Sequence, residues 1–303
     1  MFNCLIDQTW HESLADLHKH LRKLKVKKET YYVTYYDRRD RLTGQTIPFT
    51  TVDKYLATEF LCKDNLKKWI AANPVEGRQW AVDWLMKRKS EKDLIYPPTQ
   101  VELESLMCPS IHYYNRVGGY NAICTQLGYQ IRFTGQLTYE SLPLGSMVID
   151  TREQNPLGLV GAIHSKLNVG DYGLIPDRDL GVYVERKSLV DLVGTLSLGH
   201  DRFLREMERA KEVGAYVIIL VESPISVALE FKPKHGTVTA AHVFKRLRDL
   251  LSHYDNVQAL FVKDRVEASH AVTRILSAGI SIKSVDLQYA YECKQLIDPL
   301  PCQ

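Results

Sequence analysis

The chain has 303 residues, 45% hydrophobic and 25% charged, the make-up of a soluble globular protein long enough for two ordinary domains. A net charge of +3 does not by itself establish a nucleic-acid partner, but its distribution is uneven: residues 1–140 carry 20 Lys and Arg against 16 Asp and Glu, the remainder 19 against 20. No apolar run approaches the ~20 residues of a bilayer span, and the first residues lack the basic and apolar regions of a signal peptide, so no membrane partner is expected. Cys4, Cys62, Cys108, Cys124, Cys293 and Cys302 are scattered without a Cys-x-x-Cys pair. That pattern reads as reduced thiols without a zinc site, in a cytoplasmic or nucleoid-associated chain, or in the nucleus if the source is eukaryotic.

In chain order, Leu14, Leu17, Leu21 and Leu24 recur at helical spacing over residues 13–25. The lysines and Arg22 crowded there read equally as a phosphate-contacting helix end and as a solvated face. Thr30 to Tyr36 is aromatic and β-branched and predicts a strand, paired across a Thr43-Gly44 turn with a short strand near residues 46–49. Arg38 and Arg39 follow the first strand and are DNA-binding candidates beside its tyrosines; packing against helices is the competing reading. Helices are expected from Thr50 and Asp53, over 64–72 and over 77–92, the last ending in a charged run, Lys87 to Lys92. Pro97-Pro98 breaks the chain, and Thr99 to Glu102 reads as a capping box. Three short helices over 99–127, broken by Pro109-Ser110 and Gly118-Gly119, could form a helix-turn-helix-like unit that contacts DNA through Arg116, with generic helical packing as the favoured competing reading. A linker puts the domain boundary near 140, giving a mainly helical domain with a small β-hairpin at 1–140 and a second domain at 141–303.

In the second domain a short buried strand ends at Asp150, which could also begin an Asx-turn. Leu157 to Leu167 is expected to be helical after Asn155-Pro156. The stretch from Gly170 to Asp191 then reads as a β-hairpin with a longer loop around Pro176. Side chains alternate along a strand, so Glu185 and Lys187 share one face and Arg186 takes the other. Two carboxylates, Asp171 and Glu185, with an ammonium beside them suit metal-assisted phosphodiester cleavage: they can hold Mg²⁺ while leaving it water and a phosphate oxygen. Lys187 can orient the attacking water or offset developing negative charge. Exposed strands also carry alternating charges routinely, so the pattern alone is weak. Ser188 to Asp191 forms another capping box, which could be all that Asp191 does. His200 opens an amphipathic helix and reads as a surface residue. Ala215 to Glu222 is a continuous apolar run, as in a central strand buried on both faces. A helix at 240–253, a strand at 257–262 and a helix at 266–278 complete an α/β order.

Three segments in order, Val148-Ile149-Asp150-Thr151-Arg152-Glu153, Gly170-Asp171-Tyr172 and Val184-Glu185-Arg186-Lys187-Ser188-Leu189-Val190-Asp191-Leu192, resemble motifs of the XPF/Hef-type nuclease domain. The resemblance covers about residues 145–280. It implies an α/β restriction-endonuclease-like core, Mg²⁺ or Mn²⁺ as cofactor, and cleavage of branched, flap or fork DNA in repair or recombination, by a homodimer built through the last units of the nuclease domain. It implies a site of Asp171 and Glu185 on the metal with Asp150 assisting, Lys187 at the attacking water, and Arg186 and Asp191 behind them. Arg202 matches an Arg-aromatic pair at the site's edge. Many relatives continue into helix-hairpin-helix motifs. Only about 25 residues follow Gly279 here, without a Gly-x-Gly hairpin, so the N-terminal half is expected to position the DNA. The expected function is a divalent-metal-dependent DNA endonuclease; the alternative is a catalytically inactive DNA-binding scaffold of the same fold.

Overall fold

A computed structural model describes residues 2–4, 9–11, 13–24, 32–35, 45–48, 95–105, 118–132, 135–232 and 240–297, with single positions at 75, 82, 83, 85, 86, 88–90, 114 and 238. The chain divides into two compact units, Met1–Pro74 and Val75–Gln303.

In the first unit, β1 (Phe2–Cys4), β2 (Trp10–His11), β3 (Tyr32–Tyr35) and β4 (Gln45–Pro48) make an antiparallel sheet in the order β2-β1-β3-β4. The expected hairpin is β3–β4, with Val33 opposite Ile47 and Thr34 opposite Thr46. The strands β1 and β2 were not expected; at three and two residues they are too short for a periodic signal. Helix α1 (Leu14–Lys23) begins at Ser13, whose hydroxyl accepts the Asp16 N–H at 3.1 Å, and it buries Leu17 and Leu21. Arg38, Arg39, Arg116 and the helices expected over 50–74 lie outside the described residues.

The second unit opens with helical residues between 82 and 90, then α2 (Gln100–Ser105) and α3 (Tyr120–Gln126), around a small core that includes Leu85, Leu103, Tyr114, Tyr120 and Ile123. Thr99 caps α2 by accepting the Glu102 N–H at 3.2 Å. The box is not closed, because the Glu102 carboxylate turns inward to Arg88, with bonds of 2.7 and 2.9 Å. Arg88, in the charged run that ends the helix expected over 77–92, is buried, at 6% exposure. A planar guanidinium matching a carboxylate with two bonds makes such burial tolerable.

The main body is a six-stranded sheet of β5 (Met147–Asp150), β6 (Ile163–Ser165), β7 (Tyr172–Leu174), β8 (Val182–Lys187), β9 (Tyr216–Val221) and β10 (Val257–Phe261), in the order β10-β9-β8-β7-β5-β6. Strands β8, β9 and β10 run parallel, β7 is antiparallel to both β8 and β5, and β6 is parallel to β5. β6 lies where a helix was expected over 157–167. Gly158 and Gly161, the latter at φ +70°, disfavour a helix there, and Ile163 pairs with Val148 instead. The helices are α4 (Leu189–Leu196), α5 (His200–Glu212), α6 (Ile225–Leu229), α7 (Ala240–Leu251), α8 (Arg265–Ala278) and α9 (Leu287–Glu292).

Alternation along β9 shows the layering. Tyr216, Ile218 and Leu220 join a core with Ala271, Val272 and Ile275 of α8; Val217, Ile219 and Val221 join another with Phe203 of α5 and Phe244 of α7. All six residues of β9 are buried, which accounts for its unbroken apolar sequence. Val101 of α2 belongs to the second core, and the Gln100 N–H donates to the Asp286 carboxylate at 2.7 Å. The short helices before residue 132 thus pack in one unit with the sheet.

Candidate active site

The site forms where β5 and β8 end and β7 begins, beside α5. Val182 and Val184 point into the α8 core, so Arg186 follows them, and Glu185 and Lys187 face α5. By the same alternation Asp150, one residue after buried Ile149, takes the α5 face. Lys187 Nζ stands 5.8 Å from the Phe203 ring centre and donates to Glu185 Oε1.

Asp171 sits where the β7–β8 ladder opens. Tyr172 pairs with Val184, and the Asp171 N–H still reaches the Val184 carbonyl at 2.8 Å. Beyond that, the Arg186 N–H turns to Asp171 Oδ2, at 2.8 Å, so a side chain replaces the ladder. Gly170 makes the opening possible. Its φ is +68°, and a Cβ there would lie 2.9 Å from the Val184 carbonyl oxygen. The Gly-Asp pair is therefore a backbone requirement followed by a carboxylate held by the Arg186 N–H.

Burial and then the neighbouring Glu185 carboxylate push Asp171 up to about 7, against the opposing Arg186 N–H and Lys187. Burial also raises Glu185, opposed by Lys187 and reinforced by Glu206. Burial works against the Lys187 charge, but Glu185 and Asp171 overcome it, so the ammonium is held. Two desolvated carboxylates beside one another favour any cation that can reach both. Among the described residues no three His, Cys, Asp or Glu side chains converge into a ready metal cage. The pair still fits Mg²⁺, which takes one or two carboxylates and keeps several waters.

Asp150 is differently engaged. Its carboxylate accepts from Arg152 Nε at 2.7 Å, from the Arg152 N–H at 2.8 Å and from the Leu167 N–H at 2.6 Å. Burial pushes its pKa up, but these donors outweigh it and hold the group below the ordinary carboxylate range. Its own N–H donates to the Asp171 carbonyl at 2.8 Å. Arg186 points away from the pair and meets Glu153 at 2.9 Å and Glu222 at 3.2 Å. Asp191 is exposed and accepts from the Ser188 hydroxyl at 2.6 Å, completing the α4 cap. Arg202 is exposed on α5. His200, expected at the surface, is buried, with Nδ1 3.2 Å from an Arg246 nitrogen; burial and then Arg246 lower its pKa. Sequence reasoning missed Glu206. It lies on α5 three residues after Phe203, near enough to raise both Glu185 and Lys187, and its only sequence signal was its place on the edge of an amphipathic helix.

Residues 149–275 match the sequence profile of the ERCC4 domain. The match covers about two fifths of the chain. It spans the Asp150 turn, the Gly-Asp opening, β8 and α5, and it bears out the resemblance to XPF-type nucleases. The mixed six-stranded sheet with helices on both faces fits an α/β nuclease fold. Among solved structures the chain is similar to XPF from Aeropyrum pernix in complex with DNA, at 22% identity and a TM-score of 0.34, covering 42% of this chain and 60% of that one. It is also similar to XPF from Aeropyrum pernix, at 16% identity and a TM-score of 0.30, covering 51% of this chain and 100% of that one. No curated protein matches the sequence.

Proposed function

We propose that the ERCC4 domain hydrolyses phosphodiester bonds of DNA with Mg²⁺ or Mn²⁺ at Asp171, Glu185 and Lys187. The observation that carries this reading is two desolvated carboxylates on one sheet face with an ammonium bonded to one of them. A solvated strand face of alternating charge would not bury Glu185 to 7% exposure.

Asp171 Oδ2 is held by a backbone N–H and Glu185 Oε1 by Lys187, so each carboxylate is oriented with one oxygen engaged. A divalent ion held by both would supply a more acidic water and charge stabilisation at the phosphate. Lys187 would place the attacking water and offset the negative charge that develops on the phosphate oxygens. Asp150 assists by fixing the Asp171 backbone, and would reach an ion by releasing its Arg152 contacts. Asp191 holds α4 at the end of β8, and exposed Arg202 is available to a phosphate. Residues 1–140 would position the DNA, through Arg38, Arg39 and Arg116 among others; branched, flap or fork DNA is the substrate class of this reading, with two copies pairing through the nuclease domain.

The test is cleavage of labelled single-stranded, duplex, flap, fork and four-way DNA with Mg²⁺, Mn²⁺ or EDTA. Lys187→Ala should lower the rate by about 10² to 10³-fold, as for loss of one charge-stabilising donor. Metal-dependent cleavage unchanged in Lys187→Ala would refute the site. Salt-dependent DNA binding without cleavage by the wild type would favour the inactive scaffold.

A further inference from the structure

Arg186 acts at both its ends. Its main-chain N–H fixes Asp171 Oδ2, while its guanidinium, on the opposite face of the sheet, enters a half-buried ion-pair circuit. Glu153 binds two of its nitrogens, at 2.9 and 3.2 Å, and Glu222 a third, at 3.2 Å. Glu222 also takes Arg265, at 3.3 Å, and Arg265 donates to the carbonyls of Asn155 at 2.7 Å and Pro156 at 2.5 Å. The Asn155 N–H returns to Glu153 at 2.8 Å, which closes the circuit. Two carboxylates and two guanidiniums sum to zero charge, the arrangement in which buried ions are tolerated.

The circuit joins four segments: the turn after β5, the C-terminal end of β8, the residue after β9 and the first residue of α8. Glu222 holds β8 a second time, since its own N–H donates to the Lys187 carbonyl at 3.0 Å. We propose that Glu222 and Arg265, which touch none of the reacting groups, are positioning residues: they fix the roll of β8 and so set the direction in which Asp171 and Glu185 present their remaining oxygens to the cation. With Glu222 neutral, the Arg186 fork is drawn to Glu153 alone. The strand then turns about its axis, and the N–H that orients Asp171 turns with it. This inference rests on the assignment of Asp171 and Glu185 as a cation site.

The test compares the full-length wild type with Glu222→Gln and Arg265→Ala. Mn²⁺ affinity is measured by calorimetry at a temperature where each is folded, thermal unfolding is followed without metal, and the Mg²⁺ dependence of cleavage is measured alongside. Glu222→Gln should weaken Mn²⁺ binding about tenfold, at the low end for residues that orient ligands. Its half-saturating Mg²⁺ should rise by the same factor, while the rate at saturating metal stays within about twofold. Arg265→Ala, on the rim of the circuit, should move affinity in the same direction by a smaller factor and keeps the test available if Glu222→Gln does not fold. Lower melting temperatures with unchanged Mn²⁺ affinity in the folded variants would overturn the proposal. A wild type that binds Mn²⁺ but cuts no DNA would refute the nuclease reading alone, and the affinity comparison would still decide this one. A wild type that binds no Mn²⁺ would overturn both.

Discussion

Asp171→Asn tests the electrostatics of the site without reference to any substrate. The amide keeps the shape and the acceptor for the Arg186 N–H but removes the charge. In the folded protein the carboxyl titrates near about 7, against an ordinary value of 3.8. At ~1.4 kcal/mol per pH unit, that difference sets a ceiling of ~4 kcal/mol on the cost of ionising it in the fold. Relaxation and sharing of the proton with Glu185 should bring the cost to about 2 kcal/mol. Below about pH 4 the group is protonated in folded and unfolded chains alike, and the variant gains nothing. Between about pH 4 and 7 the unfolded chain releases a proton that the folded one keeps, so wild-type stability falls as pH rises. Above 7 the full cost is present. Thermal unfolding in EDTA should therefore show Asp171→Asn more stable than wild type by about 4–8 °C at pH 8, from 2–4 °C per kcal/mol for a unit of this size. The gap should narrow at pH 5. A variant no more stable than wild type at pH 8, or a gap independent of pH, would refute the account of two desolvated carboxylates.

Gly170→Ala should cost about 2–3 kcal/mol in urea unfolding, because the new Cβ meets the Val184 carbonyl in a left-handed backbone conformation; an unchanged midpoint would mean that the ladder opening tolerates a side chain. Arg88→Ala should cost about 3–5 kcal/mol by leaving the buried Glu102 carboxylate alone. Calorimetry should find much of that stability restored in the double variant Arg88→Met/Glu102→Leu, and no restoration would assign the loss to packing.

The geometry of the candidate site was legible in the sequence wherever it depended on local spacing. A two-residue alternation put Glu185 and Lys187 together and Arg186 apart, and β9 announced its burial by an unbroken apolar run. What failed were inferences that needed a partner from elsewhere in the chain. Arg88 stood in a run of charges that suits a helix end, and Glu102, fourteen residues on, makes its burial possible. Leu157 to Leu167 has the apolar content of a helix, but the Val148 edge of β5 offered Ile163 a ladder that outweighed it. Glu206 reaches the site across a helix–sheet contact that no spacing encodes. The Glu222–Arg265 pair was equally hidden, since its members are 43 residues apart and each looks like an ordinary surface charge.

The opposed faces of β8 give this domain two separable histories. Glu185 and Lys187 could be replaced by apolar residues that suit their surroundings, and the sheet would still close. Arg186 could not be lost alone without cost, because Glu153 would lose its guanidinium partner and Glu222 would keep only Arg265. A descendant that had abandoned chemistry while keeping the fold would therefore retain the arginine between two altered neighbours. In this chain the strand carries Glu185, Arg186 and Lys187 together.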